Sequence, residues 1–377
     1  MSDFIIKTSI AICVILSLGM LFLFSWEQYY SIDSTIATDI VGQYGDFIGG
    51  VVGTILSIVL LYFTFKSQIN ESKNNANIFI QQQHNDTFFH LLNQYNSIID
   101  KLAIVENDDI PINMHGKEVI HYYVTQIQNE FGTDSTNKGR KLAVDFYLNF
   151  YSLHKDFIPI YFRTIYRIFD LIESSKINEE EKVKYAKIIR SQLTDSELIL
   201  IRYNAMTTLG KNMRYYIVKY NLLKHMPMLS LFEHNILKSL FTINLENKAN
   251  IILYNIKKNI HNLNNDVPTL AYTSSKAKYN INVSRINNGQ EIKLDFNRHR
   301  NIFIAPYDDF YCFETITLNN IQLLLEEWMK EIFVFSKFNL KDYSNSVNFT
   351  TIVDPLIEGK EHFCIRIKSK NNIEIKI

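Results

Sequence analysis

Residues Gly45 to Phe65 read GDFIGGVVGTILSIVLLYFTF. The stretch is apolar, carries one charge at its front edge (Asp46) and contains no proline. About 20 such residues suffice for a helix to cross a bilayer core. Gly45, Gly49, Gly53 and Ser57 recur at every fourth position, hence on one helix face. A stripe of small residues lets membrane helices approach closely. After Gly53 neither glycine nor proline occurs until Pro111. The helix is therefore expected to continue from Lys66 as a polar stalk without a breaker. It then turns amphipathic through Phe79, Ile80, Phe88, Leu91, Leu92 and Ile98, where it should enter a soluble core.

Upstream, Phe4 to Trp26 is a second apolar run of membrane length. Leu21 to Trp26 offers no small-residue cleavage site, so an uncleaved span is expected rather than a signal peptide. The segment from Glu27 to Gly45 holds no Lys or Arg, whereas Lys7, Lys66 and Lys73 flank the spans on the other side. The positive-inside rule then places both termini in the cytoplasm and the short loop outside. Asp46 has two readings: an ionisable group working at the membrane edge, or an acid favoured by a helix N-terminus.

A hydrophobic content of 47% with 21% charged residues permits a packed core and argues against wholesale disorder. Sparse Gly (12) and Pro (6) favour long helices over a turn-rich β fold. The zero net charge hides a split. Asp3, Glu27, Asp33, Asp39 and Asp46 face only Lys7 in residues 1–65. The compensating positive balance downstream is too mild to argue nucleic-acid binding. Cys13, Cys312 and Cys364 are far apart and read as reduced thiols.

Downstream, residues 106–114 and 132–139 read as loops around a helix over 116–131. Beyond Pro159, Phe162, Ile165, Phe169 and Ile172 form a helical stripe. Arg163 and Arg167 share a neighbouring face, with Asp170 placed to answer Arg167. After a charged helix over 178–190, Thr194 and Glu197 give a T-x-x-E capping box, with Leu193 and Leu198 as its staple. Gly210 stands where a C′ glycine would end that helix. The helix is apolar nearly all round, so Arg202 and Asn204 need hydrogen-bond partners. A further helix over 211–225 should stop near Pro227. From about residue 250 short alternating runs appear: YNINVSRI, EIKLDF and FCIRIKSKNNIEIKI. The last predicts a hairpin around 370–372, and one amphipathic helix is expected over 319–338. The fold class is mainly α: a transmembrane hairpin (1–65), a stalk and cytoplasmic helical domain (66–245), and a small α+β module (246–377).

No Walker loop, G-x-G-x-x-G, H-E-x-x-H or G-x-S-x-G is present, so neither a cofactor nor a metal is expected. Glu291–Lys293 and Glu374–Lys376 are E-x-K pairs of the kind found on nuclease strands, but alternating Lys/Ile-rich strands produce them by chance. Candidate anion or partner contacts are Arg163, Arg167, Arg190, Arg202, Asn204, Arg298 and His299.

Three blocks carry a resemblance: DTFFHLLNQYNSII (86–99), YFRTIYRIFDLI (161–172) and YAKIIRSQLTDSELILIRYN (185–204). In this order, behind the apolar stretch, they resemble the putative phage abortive infection family, the AbiC-like membrane proteins of bacterial antiphage defence. The likeness covers roughly residues 40–225. Tyr95 and Arg202 stand where that family's pattern carries a histidine and an apolar residue. The resemblance implies defence by harming or arresting the infected cell, from the bacterial inner membrane. The expected function is a membrane-anchored effector that senses infection and impairs the membrane through Gly45, Asp46, Gly49, Gly53 and Ser57. Expected partners are lipid, further copies of the chain, and a defence protein or phage trigger. The alternative is a membrane-tethered nuclease, with Arg163, Arg167, Arg298 and His299 on phosphate.

Overall fold

The structure, a computed structural model, describes residues 38–47, 49–50, 53–106, 112–132, 139–263, 269–274, 277–286, 291–335, 348–354 and 360–368, with isolated earlier positions 11, 14, 15, 18, 19 and 22. The chain divides into two compact units, Met1–Gln82 and Gln83–Ile377.

In the first unit α1 spans Thr38–Phe47, and α2 starts at Gly53 and runs on to Asp100. Without an internal breaker α2 continues for 48 residues, about 72 Å of helix at 1.5 Å per residue. Ser57 and Thr64 donate to the carbonyls of Gly53 (2.8 Å) and Leu60 (2.9 Å), so their hydroxyls are satisfied within the helix. The expected transmembrane hairpin finds no support here. Among the described residues no helix is long and apolar enough to cross a membrane. Gly45 and Asp46 lie at the end of α1, Gly49 and Gly50 in a π-helical turn, and Gly53 and Ser57 at the start of α2. The expected single span and its stripe are thus divided among elements. The apolar part of α2, from Gly53 to Phe65, is about 13 residues or roughly 20 Å, against a hydrocarbon core of about 30 Å. A β carbon at Gly45, Gly49 or Gly53 would meet nothing within 4 Å. The other expected span, Phe4–Trp26, lies outside the described residues apart from the isolated positions, as does Cys13. Phe79 (65% exposed) and Ile80 (53%) do not enter a core as expected. Burial on α2 begins at Phe88 and recurs at Leu92, Tyr95 and Ile99, a helical stripe.

In the second unit a short antiparallel hairpin, β1 (Ala103–Glu106) and β2 (Ile112–His115), occupies part of the segment expected to be all loop. Helices α3 (Lys117–Phe131), α4 (Arg140–Leu153), α5 (Ile158–Ser174), α6 (Glu179–Gln192), α7 (Asp195–Met206) and α8 (Met213–Lys219) follow. Pro159 sits in the first turn of α5, where its missing N–H costs nothing. Asn178 caps α6, accepting from the Glu181 N–H at 2.8 Å. Ser196 to Ala205 of α7 are all buried, so this helix has neighbours on every side. Helix α7 ends at Met206, before the expected stop at Gly210. Gly210 is required for another reason: a β carbon there would overlap the side-chain oxygen and carbonyl of Asn204.

Two 3₁₀ turns (Met228–Ser230, Phe232–His234) and α9 (Asn235–Ser239) lead to α10 (Ile243–Asn262), a helix where alternation had pointed to strands. A five-stranded antiparallel sheet then follows in the order β3-β4-β5-β7-β6. Its strands are β3 (Thr269–Thr273), β4 (Tyr279–Ile286), β5 (Glu291–His299), β6 (Asn348–Asp354) and β7 (Lys360–Lys368). YNINVSRI forms β4 and EIKLDF forms most of β5, as their period-2 pattern requires. The start of the final alternating run lies in β7, which pairs with β5 and β6; residues after 368 lie outside the described set. One sheet face, with Tyr279, Ile281, Val283, Ile292, Leu294 and Phe296, is buried, as is much of α11 (Leu318–Val334). A single apolar core extends from Phe88 on α2 to Ile367 on β7. Cys312 and Cys364 are buried and free.

Candidate functional site

Helix α7 has no polar face, so each of its polar side chains must find a partner inside the protein. At its first turn Thr194 accepts from the Glu197 N–H (3.3 Å), and Glu197 Oε2 accepts from the Thr194 N–H (2.8 Å), closing a capping box. Glu197 is fully buried. Its other oxygen, Oε1, accepts from the Tyr95 hydroxyl of α2 (2.5 Å) and the Tyr161 hydroxyl of α5 (3.0 Å). Lys117 Nζ stands 3.8 Å from Oε2. A carboxylate in an apolar core is tolerated when its lone pairs are answered this fully. Burial, with the Glu197 charge beside them, raises the pKa of both phenols, which stay protonated as donors.

Two turns on, Arg202 is wholly buried. Its Nε donates to Glu331 Oε1 of α11 (2.8 Å), and its Nη2 donates to Glu331 Oε2 and Glu233 Oε1 (2.6 Å each). Arg140 of α4 joins through Nη2 to Glu331 Oε2 (3.2 Å), its Nε 3.7 Å from Glu233. Tyr203 donates to Glu233 and accepts from the Phe232 N–H (2.9 Å). Two guanidiniums thus face two carboxylates, a balanced set in which a buried charge can persist. Burial alone would lower the Arg202 pKa; Glu233 and Glu331 outweigh it and hold the guanidinium charged. Burial would raise the Glu331 pKa; Arg202 and Arg140 reverse this and hold it at about 2. Asn204, a half turn further, donates to the Tyr147 hydroxyl at 2.9 Å.

Arg202, Asn204, Thr194 and Glu197 therefore come together on one buried helix. The other residues singled out from sequence do not join them. Arg163 and Arg167 are exposed on α5; Arg163 turns back to the Pro159 carbonyl (3.1 Å). Asp170 accepts from Tyr216 (2.9 Å) instead of answering Arg167. Arg298 and Arg300 share Glu361, and the His299 N–H donates to the Lys278 carbonyl (2.9 Å). Arg190 lies against the carbonyls of Tyr220 and Asn221 (3.4 Å each). Lys293 of the E-x-K pair is tied to Asp295 (2.9 Å). Among the described residues no group of three or more His, Cys, Asp or Glu is placed to hold a metal ion. Glu233, Glu331, Arg140, Tyr95 and Tyr161 were missed as members of the network. For Glu331 there was a signal: an acid three residues after Trp328, on the apolar face of α11.

A mainly helical body joined to an antiparallel sheet, with a buried ionic network at the junction, defines the class. Residues 153–231, from the end of α4 past α7 to the 3₁₀ turns, match the model of a family described as putative phage abortive infection protein, the AbiC-like family that the sequence resembles. No curated protein and no solved structure matches the chain.

Proposed function

We propose that this chain is an abortive-infection effector that acts at the bacterial inner membrane, with α7 relaying a signal from the helical body to the N-terminal apolar segments. The observation that carries this reading is the position of α7. It lies within the family-matched residues and is bonded to α2 through Tyr95–Glu197 and to α11 through Arg202–Glu331. The helix that holds Tyr95 is the one whose other end bears the exposed side chains of Ile55, Ile58, Leu60, Leu61, Tyr62 and Phe65. So many apolar groups on one short stretch call for lipid or a partner. The runs Phe4–Trp26 and Gly45–Phe65 would engage the bilayer, Gly45, Gly49, Gly53 and Ser57 would pack copies together, and Asp46 would sit at their edge. The defence role itself is supported by the family match; the membrane step is our inference.

Phage plating on cells expressing the parent or Tyr95→Phe tests the relay. The variant keeps its ring packing and loses one hydrogen bond, on the order of 1–2 kcal/mol, so it should accumulate normally. Protection should fall at least tenfold. Full protection by Tyr95→Phe at equal expression removes the α2–α7 link from the mechanism, and no protection by the parent removes the defence reading.

A further inference from the structure

Beside the ionic network lies a cavity of about 290 Å³ lined by Asp195, Lys224, His225, Asn250, Tyr254 and Lys257, with Met226, Met228 and Leu253 as its apolar wall. Its charges come from separate segments: Asp195 from the start of α7, Lys224 and His225 from the chain after α8, Lys257 from α10. Among the described residues no carboxylate forms an ion pair with Lys224, His225 or Lys257. Lys257 Nζ has only the Leu223 carbonyl as partner, and Lys224 Nζ lies 5.6 Å above the Tyr254 ring. The His225 and Tyr254 rings are stacked 5.6 Å apart. The Asn250 side-chain oxygen is buried without a hydrogen-bond partner, and half a turn of that amide would offer a donor instead.

Three cations against one acid is an unfavourable arrangement for an empty pocket. Burial lowers the Lys257 pKa to about 8, with Glu331 opposing. Burial, Lys224, Arg190 and Lys257 together lower that of His225, with Asp195 opposing. A ligand with two negative charges would relieve this repulsion. Lysines act as point charges suited to the tetrahedral oxygens of a phosphate, whereas a planar carboxylate favours the arginine fork. The volume is near the lower limit for ligand sites. We propose that this cavity binds a small phosphorylated molecule, its phosphate held by Lys224, Lys257 and His225 and its body resting on Tyr254 and the methionine wall.

Titration calorimetry on the full chain, with AMP, inorganic phosphate and adenosine as probes, tests this. AMP should bind saturably and adenosine should not. Phosphate binding as tightly as AMP would identify the phosphate alone as the ligand; weaker binding would point to a nucleotide-like body. Lys224→Gln and Lys257→Met should each weaken AMP at least tenfold. Lys257→Met should not lower the melting temperature, since it removes a charge that burial disfavours. Between about pH 7 and pH 9 affinity should fall about tenfold, because a bound anion favours protonated Lys257, which loses its proton near pH 8. No AMP binding up to about 10 mM, equal binding of adenosine, or binding that ignores both lysine variants would overturn the proposal.

Discussion

Replacing Arg202 by methionine should be among the most damaging single changes in the helical body. Methionine fills a similar volume but leaves Glu331 and Glu233 buried with only Arg140 to answer them. Breaking a buried pair by removing one partner costs about 3–5 kcal/mol. The acid side of the pair gives an independent figure. Glu331 is held at about pKa 2 against an ordinary 4.5, roughly 3 kcal/mol of stability at neutral pH. The sign follows from proton uptake: the unfolded carboxylate binds its proton more readily than the folded one. The contribution is therefore complete above about pH 4.5 and lost as pH falls toward 2. Urea unfolding at pH 7 should show Arg202→Met less stable than the parent by about 3 kcal/mol or more. The gap should narrow between about pH 5 and pH 3, as Glu331 begins to protonate in both. Combined with Glu331→Met, the variant should lose less than the two single losses added, since the partners are in contact. A loss under about 1 kcal/mol, or a gap independent of pH, would refute the buried network.

Gly210→Ala should cost about 1–3 kcal/mol in the same unfolding assay, because the new methyl meets Asn204 backbone that cannot move aside; an unchanged midpoint would show that the turn after α7 is free to shift. Thr194→Ala should cost about 1 kcal/mol through the lost cap, and a variant as stable as the parent yet inactive in defence would make this residue functional. Gly53→Ile, where nothing stands within 4 Å of a β carbon, should leave expression unchanged and reduce protection. Full protection by Gly53→Ile would make the small-residue stripe irrelevant.

Local chemistry was legible in the sequence. The T-x-x-E spacing places the start of α7, and the lack of breakers after Gly53 explains the length of α2. The need of Arg202 for a partner was legible too, but not the partner's identity, because Glu331 lies 129 residues away. Periodicity shows that a helix has an apolar side without saying what covers it, which is why Phe79 and Ile80 looked like core. An apolar run can be counted without revealing that the helix is interrupted between Phe47 and Gly53. Alternation assigns a strand its faces but not its neighbours, so the start of the final run proved to be the partner of β5 and β6. Strands as short as β1 and β2 give too few residues for a period to show.

The central claim, that the chain acts on the membrane of an infected cell, is tested most directly by a potential-sensitive dye during synchronous infection. Cells expressing the parent should depolarise before phage-driven lysis, while cells expressing Gly53→Ile or Tyr95→Phe hold their potential. A potential that stays intact in protected cells while their RNA or DNA is degraded would contradict the membrane mechanism and favour a tethered nuclease.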